Sequence, residues 1–259
     1  MSARVFVTTL LAKQATASRG AVSLMQHALD TEEAVRLLFA PDRRWGRSLC
    51  RFFCLDDRAQ GRFLWHARVA ALLHDLGKAN FGFQAALRHS LDEPQASRHE
   101  HLTSWVMHLP VVRSWLSSNP ALDAAIVTAA VLSLRPGAAA EGDWRWDQRQ
   151  ERASELLLDD PDVRALLQRV ASLGKLAEPP RLDDRSWALR NLREEARLEG
   201  AAALGELSRE LGSNPQRRGL LLATKTALIV ADSMASGLVG DGRSFTAWID
   251  DLGIANRSS

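Results

Sequence analysis

The chain has little of several things, and each scarcity excludes something. It has only two cysteines, Cys50 and Cys54, four apart on a stretch that reads as one helix. That spacing suits core packing in a reducing compartment better than a disulfide framework. Its apolar runs are interrupted well short of the ~18 residues a membrane span needs, so no membrane role is expected. The opening Met1–Lys13 has one early arginine and a short apolar stretch but no small-residue cleavage signature, which reads as mature cytoplasmic protein. No Gly-x-x-x-x-Gly-Lys-Ser/Thr loop is present, so this sequence offers no phosphate cradle for an ATPase. Alternating strand patterns are almost absent.

What is present is a 259-residue chain, 46% hydrophobic, with enough apolar content for a continuous core in one large domain or two small ones. A net charge of +2 does not announce nucleic-acid binding, although the sequence pI of about 8.8 allows a local basic patch. Of the 33 basic residues only Lys13, Lys78, Lys175 and Lys225 are lysine, a bias that codon usage can explain.

Apolar residues recur every three or four positions through nearly the whole chain, the mark of amphipathic helices. The fold class expected is therefore all-α, with a short extended N-terminal arm at Arg4–Leu11. Helices are predicted at 20–39, 44–55, 61–75, 80–89, 99–117, 120–134, 145–158, 161–173, 184–211, 215–238 and 244–252. Pro41-Asp42, Asn119-Pro120, Pro136-Gly137, Pro179-Pro180 and Asn214-Pro215 punctuate them. The charged stretch Arg181–Arg218 reads as a solvated helix.

All seven histidines fall within the first 108 residues. His74 and Asp75 close a largely apolar helix and are followed by Leu76-Gly77-Lys78. An imidazole and a carboxylate at the inner end of such a helix are costly unless something compensates them, and a divalent cation does so. Asp232 lies in a helix that is apolar nearly all round, beside Leu228 and Ile229. A carboxylate there is expected to be buried, and hence paired, capped or metal-bound. His27, taken singly, reads as a core histidine. His99 and His101 flank Glu100 ahead of an apolar helix, which would turn one of them inward. Arg43, Arg47 and Arg51 recur every four residues beside Trp45, and Trp144-Arg145-Trp146 leads into Arg149. Each stretch is either a solvated helix face or a surface for single strands, where guanidinium meets phosphate and indole stacks on bases.

Taken in order, His27-Ala-Leu-Asp-Thr31, His74-Asp75-Leu-Gly-Lys78, Arg98-His99-Glu100 and Ala231-Asp232-Ser233 resemble the HD superfamily of metal-dependent phosphohydrolases. The opening Leu10-Leu-Ala-Lys13 and the run Lys78-Ala-Asn-Phe-Gly-Phe-Gln84 are similar to the HD nuclease of type I CRISPR interference. The likeness runs from Leu10 to about Gly237 and implies a single HD helical bundle over 1–259.

That resemblance implies that His27, His74, Asp75 and Asp232 hold one metal ion, with Lys78 near the phosphate and Asp75 and Lys78 as the catalytic pair. It implies one or two ions, with Asp75 and His99 reaching the second. Imidazole and carboxylate donors suit Mn, Fe, Co, Ni or Zn. It further implies hydrolysis of phosphodiesters in single-stranded DNA, a helicase as a separate subunit or domain, and an RNA-guided surveillance complex as partner. The sequence departs from the family where a histidine pair usually completes the second site: it reads Ser133-Leu134. His89, Glu100 and His101 are the remaining donors nearby. One-metal activity, a weakened nuclease or histidines replaced in this version of the chain are each consistent with that loss. The rival functions are hydrolysis of a small nucleotide and a degenerate HD module that binds DNA or a partner.

Overall fold

The structure, a computed structural model, describes residues 9–15, 20–89, 99–132, 155–182, 189–238 and Ala247. Among these are a two-stranded ribbon, β1 (Leu11–Lys13) and β2 (Val22–Ser23), and ten helices. The helices are α1 (Leu24–Phe39), α2 (Arg44–Phe52), α3 (Asp57–Leu73), α4 (Phe81–His89), α5 (His99–His108), α6 (Pro110–Leu116), α7 (Ala124–Leu132), α8 (Pro161–Gly174), α9 (Leu189–Ser213) and α10 (Pro215–Leu238). A 3-10 turn, Leu76–Lys78, follows α3. The all-α expectation holds.

Local chemistry sets most of the helix starts. The side chains of Ser23 and Asp56 accept from the backbone N–H three residues on, and Asn80, Asp123 and Asn214 do the same for α4, α7 and α10. Asp160 caps α8 with Pro161 in the first turn, where a missing N–H costs nothing. Asn214-Pro215 therefore separates α9 from α10, as the sequence predicts.

Other boundaries differ. The predicted helix 99–117 is two, because Pro110 cannot donate and the chain turns at Leu109 to start α6. The predicted helix 145–158 does not reach its end: Leu156 pairs with Asn80 in an isolated bridge, and Phe81 N and Leu157 N donate to Glu155 O and Ala79 O. Residues 4–8 of the expected arm lie outside the described residues; the described strand runs Leu11–Lys13, with Leu11 opposite Ser23 and Lys13 opposite Val22. The segments 136–137 and 244–246 lie outside the described residues.

Cys54 is also off the predicted helix. α2 ends in a Schellman arrangement, with Cys54 N donating to Arg51 O and Leu55 N to Cys50 O. That closure leaves Cys54 left-handed (φ 54°) and exposed, while Cys50 is buried; both thiols are free.

The core forms where α1, α3 and α10 each touch the other two; α7 and α8 also pack on α3, and α5 packs on α7, α9 and the 3-10 turn. α10 is the one described helix long and apolar enough, by length and composition alone, to cross a membrane. Here it is a core helix: Ala223, Ala227, Leu228 and Ala231 are wholly buried against its neighbours. The triangle of α1, α3 and α10 opens at one end into a pocket.

Candidate metal centre

Each wall of the pocket contributes polar groups from a different part of the chain. His27 is in the first turn of α1, oriented by the Ser23 cap. His74 and Asp75 follow the last residue of α3, and Lys78 ends the 3-10 turn. His99 begins α5, and Asp232 sits two turns from the end of α10. These residues and Glu100 line one cavity of about 360 Å³.

The close approach of that turn to α5 depends on Gly77. A Cβ there would overlap the His99 carbonyl and lie 2.8 Å from Thr103 N. Gly77 N instead donates to Thr103 Oγ1 at 2.8 Å, and Thr103 Oγ1 donates to His74 O at 3.2 Å. This contact carries His99 to Asp75.

His27 Nε2 lies 3.1 Å from Asp232 Oδ1 and 3.3 Å from Asp75 Oδ2. His74 Nε2 lies 3.4 Å from Asp75 Oδ2 and 3.6 Å from Asp232 Oδ1. One donor atom each from His27, His74 and Asp232 falls within 4.8 Å of the others, a spacing that one ion can span. The Asp75 oxygen that faces both imidazoles, Oδ2, is also 2.5 Å from Lys78 Nζ. The other carboxylate oxygen faces His99 Nε2 at 3.3 Å.

Second contacts fix the donors. His74 Nδ1 donates to Ala71 O at 2.7 Å, which turns Nε2 toward the carboxylates. Ser236, one turn beyond Asp232, donates to Asp232 Oδ1 at 3.3 Å. Neither His74 Nε2 nor Asp75 Oδ2 makes a hydrogen bond of acceptable geometry, although both are buried. For Asp75 Oδ2 the short Lys78 contact is an ion pair only. Buried polar atoms left in this way fit a cation between them.

The protonation states agree with that fit. Burial pushes the Asp75 and Asp232 carboxyls up, but the surrounding cations and donors outweigh it. His74, Lys78 and His99 hold Asp75 well below the usual range, and the hydrogen bond with His27 together with the nearby His74 imidazole holds Asp232 down. Both are ionised. Burial also lowers the His27 pKa, leaving the neutral, ligating form. Burial disfavours a proton on His74, yet Asp75 and then Asp232 raise its pKa overall. The field that favours a proton there equally favours a divalent cation.

Asp232 is less buried than the sequence implies. A third of its side chain is exposed, because the residue points into the pocket and not into the α10 packing face. His101 is fully buried, while His99 lines the pocket. Arg43, Arg47 and Arg51 do not join the site. They lie on or beside α2, which packs at the far end of α1: Gly46 abuts the carbonyls of Phe39 and Ala40. Twelve residues of α1 separate Phe39 from His27, about 18 Å at ~1.5 Å per residue. Arg47 and Arg51 are exposed there, and Arg47 Nη1 donates to Asp42 O at 2.7 Å. Arg145, Arg149, Ser133 and Leu134 lie outside the described residues. Lys13, Glu100 and Ser236 also line the pocket. The sequence offers weak signals for them: a rare lysine, an acid between two histidines, and a hydroxyl one turn from Asp232.

Residues 11–237 match the family described as Cas3, HD domain. The chain is 29% identical over 248 residues to a CRISPR-associated nuclease/helicase Cas3 of Myxococcus xanthus (strain DK1622), over 93% of this chain and 32% of that protein. It thus spans about a third of the length of this relative.

Proposed function

Because the chain belongs to the Cas3 HD-domain family, we propose that it is a metal-dependent nuclease that hydrolyses phosphodiester bonds of single-stranded DNA in type I CRISPR interference. The observation carrying this reading is the convergence of His27, His74, Asp75 and Asp232 on one pocket, with two buried donor atoms lacking hydrogen bonds. His27, His74 and Asp232 would hold the ion, with Asp75 against both histidines. The mixed imidazole and carboxylate set favours Mn, Fe, Co, Ni or Zn. A divalent ion there supplies Lewis acidity toward a phosphoryl oxygen and lowers the pKa of water from about 15.7 to about 7.

The chain's own residues do the rest. The ionised carboxylates of Asp75 and Asp232 set the charge of the site. Ala71 O and Ser236 keep His74 and Asp232 aimed at a common point. Lys78 offsets the buried charge of Asp75 and brings an ammonium to the side where negative charge grows on the phosphate. One ion is assigned to the first set. Asp75 and His99 alone offer only a partial second set, so turnover is expected to be slower than with two ions clamping both oxygens.

ATP-driven unwinding has no loop in this sequence. A helicase, as another subunit or another part of a longer protein, and an RNA-guided surveillance complex would deliver the strand in the cytoplasm. The test is incubation with end-labelled single strands and, separately, with a nucleotide panel, each with Mn or Ni. Strand cleavage that disappears in Asp75→Ala supports the proposal. Nucleotide hydrolysis without strand cleavage overturns it, and no hydrolysis at all leaves a binding module.

A further inference from the structure

α2 carries Arg44, Arg47 and Arg51 and no acidic residue in its nine positions, in a chain whose 33 basic and 31 acidic residues nearly balance. Its buried residues, Gly46 and Cys50, mark the side that faces the core. At about 100° per residue, the opposite side divides into two stripes. Arg44 and Arg51, seven residues apart, fall on one line with Arg47 beside it. Trp45 and Phe52, also seven apart, fall on a second line about 100° round the helix and about 10.5 Å apart along it. All five residues are exposed.

The arginines differ in what holds them. Arg43 Nε lies 3.9 Å from Asp42 Oδ2, and Arg47 donates to Asp42 O at 2.7 Å, so both are tied to the turn before α2. The guanidinium groups of Arg44 and Arg51 make no ion pair or hydrogen bond among the described residues. The aromatic rings are held without being covered. Trp45 is 40% exposed and lies against Phe39 of the core, with ring centroids 6.4 Å apart. Phe52 is 77% exposed, the most of any large hydrophobic among the described residues, and meets Phe53 edge to face at 5.0 Å.

A single exposed apolar side chain is ordinary, but two rings on one line beside two uncommitted guanidinium groups form a patch. The charge of that patch selects an anionic occupant, and its rings select one with flat faces to stack. A single strand offers phosphates and unpaired bases in regular alternation. A duplex keeps its base faces stacked inside, and an acidic peptide supplies charge without base planes. We infer that the exposed face of α2 is a second contact site for the single strand, with Arg44 and Arg51 on backbone phosphates and Trp45 and Phe52 stacked on bases. It lies about 18 Å from His27 by the rise of α1, so it acts by holding the strand and takes no part in the metal chemistry. The identity of the strand rests on the nuclease reading above.

The test is fluorescence anisotropy of a labelled oligothymidine in EDTA over a KCl series, with hexaglutamate as competitor. Mn titration calorimetry, thermal melts and Mn-dependent cleavage run in parallel. Arg44→Ala and Arg51→Ala are each expected to flatten the log K against log salt slope by about 0.7, the value of one phosphate contact on a single strand, and Arg51→Lys restores it. Phe52→Ala is expected to weaken binding at least about fivefold, the low end for one stacked base, without changing the slope, and Phe52→Trp restores it. Mn affinity and melting stay at wild-type values throughout. An unchanged slope in either arginine variant, unchanged affinity in Phe52→Ala, or a wild type that does not bind the strand overturns the proposal. Displacement of the strand by an equal concentration of hexaglutamate also overturns it, and assigns the face to an acidic protein segment. Binding that depends on α2 without cleavage in Mn overturns the nuclease reading and leaves this contact standing.

Discussion

His27 Nε2 and Asp232 Oδ1 stand 3.1 Å apart although 205 residues separate them in the chain. The pair joins the first turn of α1 to the late part of α10 at the point where both helices meet α3. Asp232→Ala removes a donor that one ion would share with His27 and His74. Mn affinity is expected to fall at least about 100-fold, since loss of a mere supporting partner costs ~10–100-fold. Titration calorimetry checks this. Unchanged affinity would mean that the two histidines and Asp75 suffice.

Lys78→Met keeps an unbranched side chain, one atom shorter, and removes its charge. In EDTA it leaves Asp75 buried without its closest cation, a loss worth about 3–5 kcal/mol for a broken buried pair. Saturating Mn should recover part of that loss, because an ion beside Asp75 replaces the missing charge. Urea unfolding with and without Mn measures the difference. An equal loss in both conditions would mean that no cation reaches Asp75.

Gly77→Ala tests the contact of the 3-10 turn with α5. The added methyl meets backbone on both sides, which cannot rotate away as a flexible side chain can. The variant is expected to lose about 3 kcal/mol or more, the upper end of overpacking costs. Chemical denaturation reads the loss, and a variant as stable as wild type would show that α5 shifts freely.

Acid sensitivity should centre on His66, away from the pocket. It is fully buried, donates from Nδ1 to Arg62 O at 2.7 Å, and accepts at Nε2 from Asp123 N at 2.8 Å. Burial pushes its pKa from 6.5 down to about 4, so the fold favours the neutral ring. Its contribution is fully present above pH 6.5 and is lost as pH falls toward 4. The loss is about 3 kcal/mol at ~1.36 kcal/mol per unit. Asp123, held below the usual carboxylate range mainly by Arg217 against the effect of burial, acts only at lower pH. The two site histidines shift in opposite directions and partly offset. Stability measured from pH 7 to 4 should fall on this limb, and His66→Gln should flatten it.

Much of the architecture was legible because its signals are local. Ser23, Asp56, Asp160 and Asn214 cap helices within three residues of themselves, and apolar spacing of three to four marks the buried faces. The break at Leu109-Pro110 is equally local, and a longer helix prediction overran it. Cys54 needed more than local sequence: apolar periodicity continues through it, yet hydrogen-bonded closure of α2 turns it out to solvent.

The sequence alone determined an all-α chain and the kinds of donor available: imidazole and carboxylate, with all the imidazoles in its first 108 residues. Tertiary packing decided which of them meet. It made α10 a core helix, opened Asp232 into the pocket, and kept the arginines of α2 at the far end of α1. The reason is that helix periodicity is set by neighbours a few residues away. The position of one helix end relative to another depends on side chains interlocking across the whole core, and no short stretch of sequence contains that information.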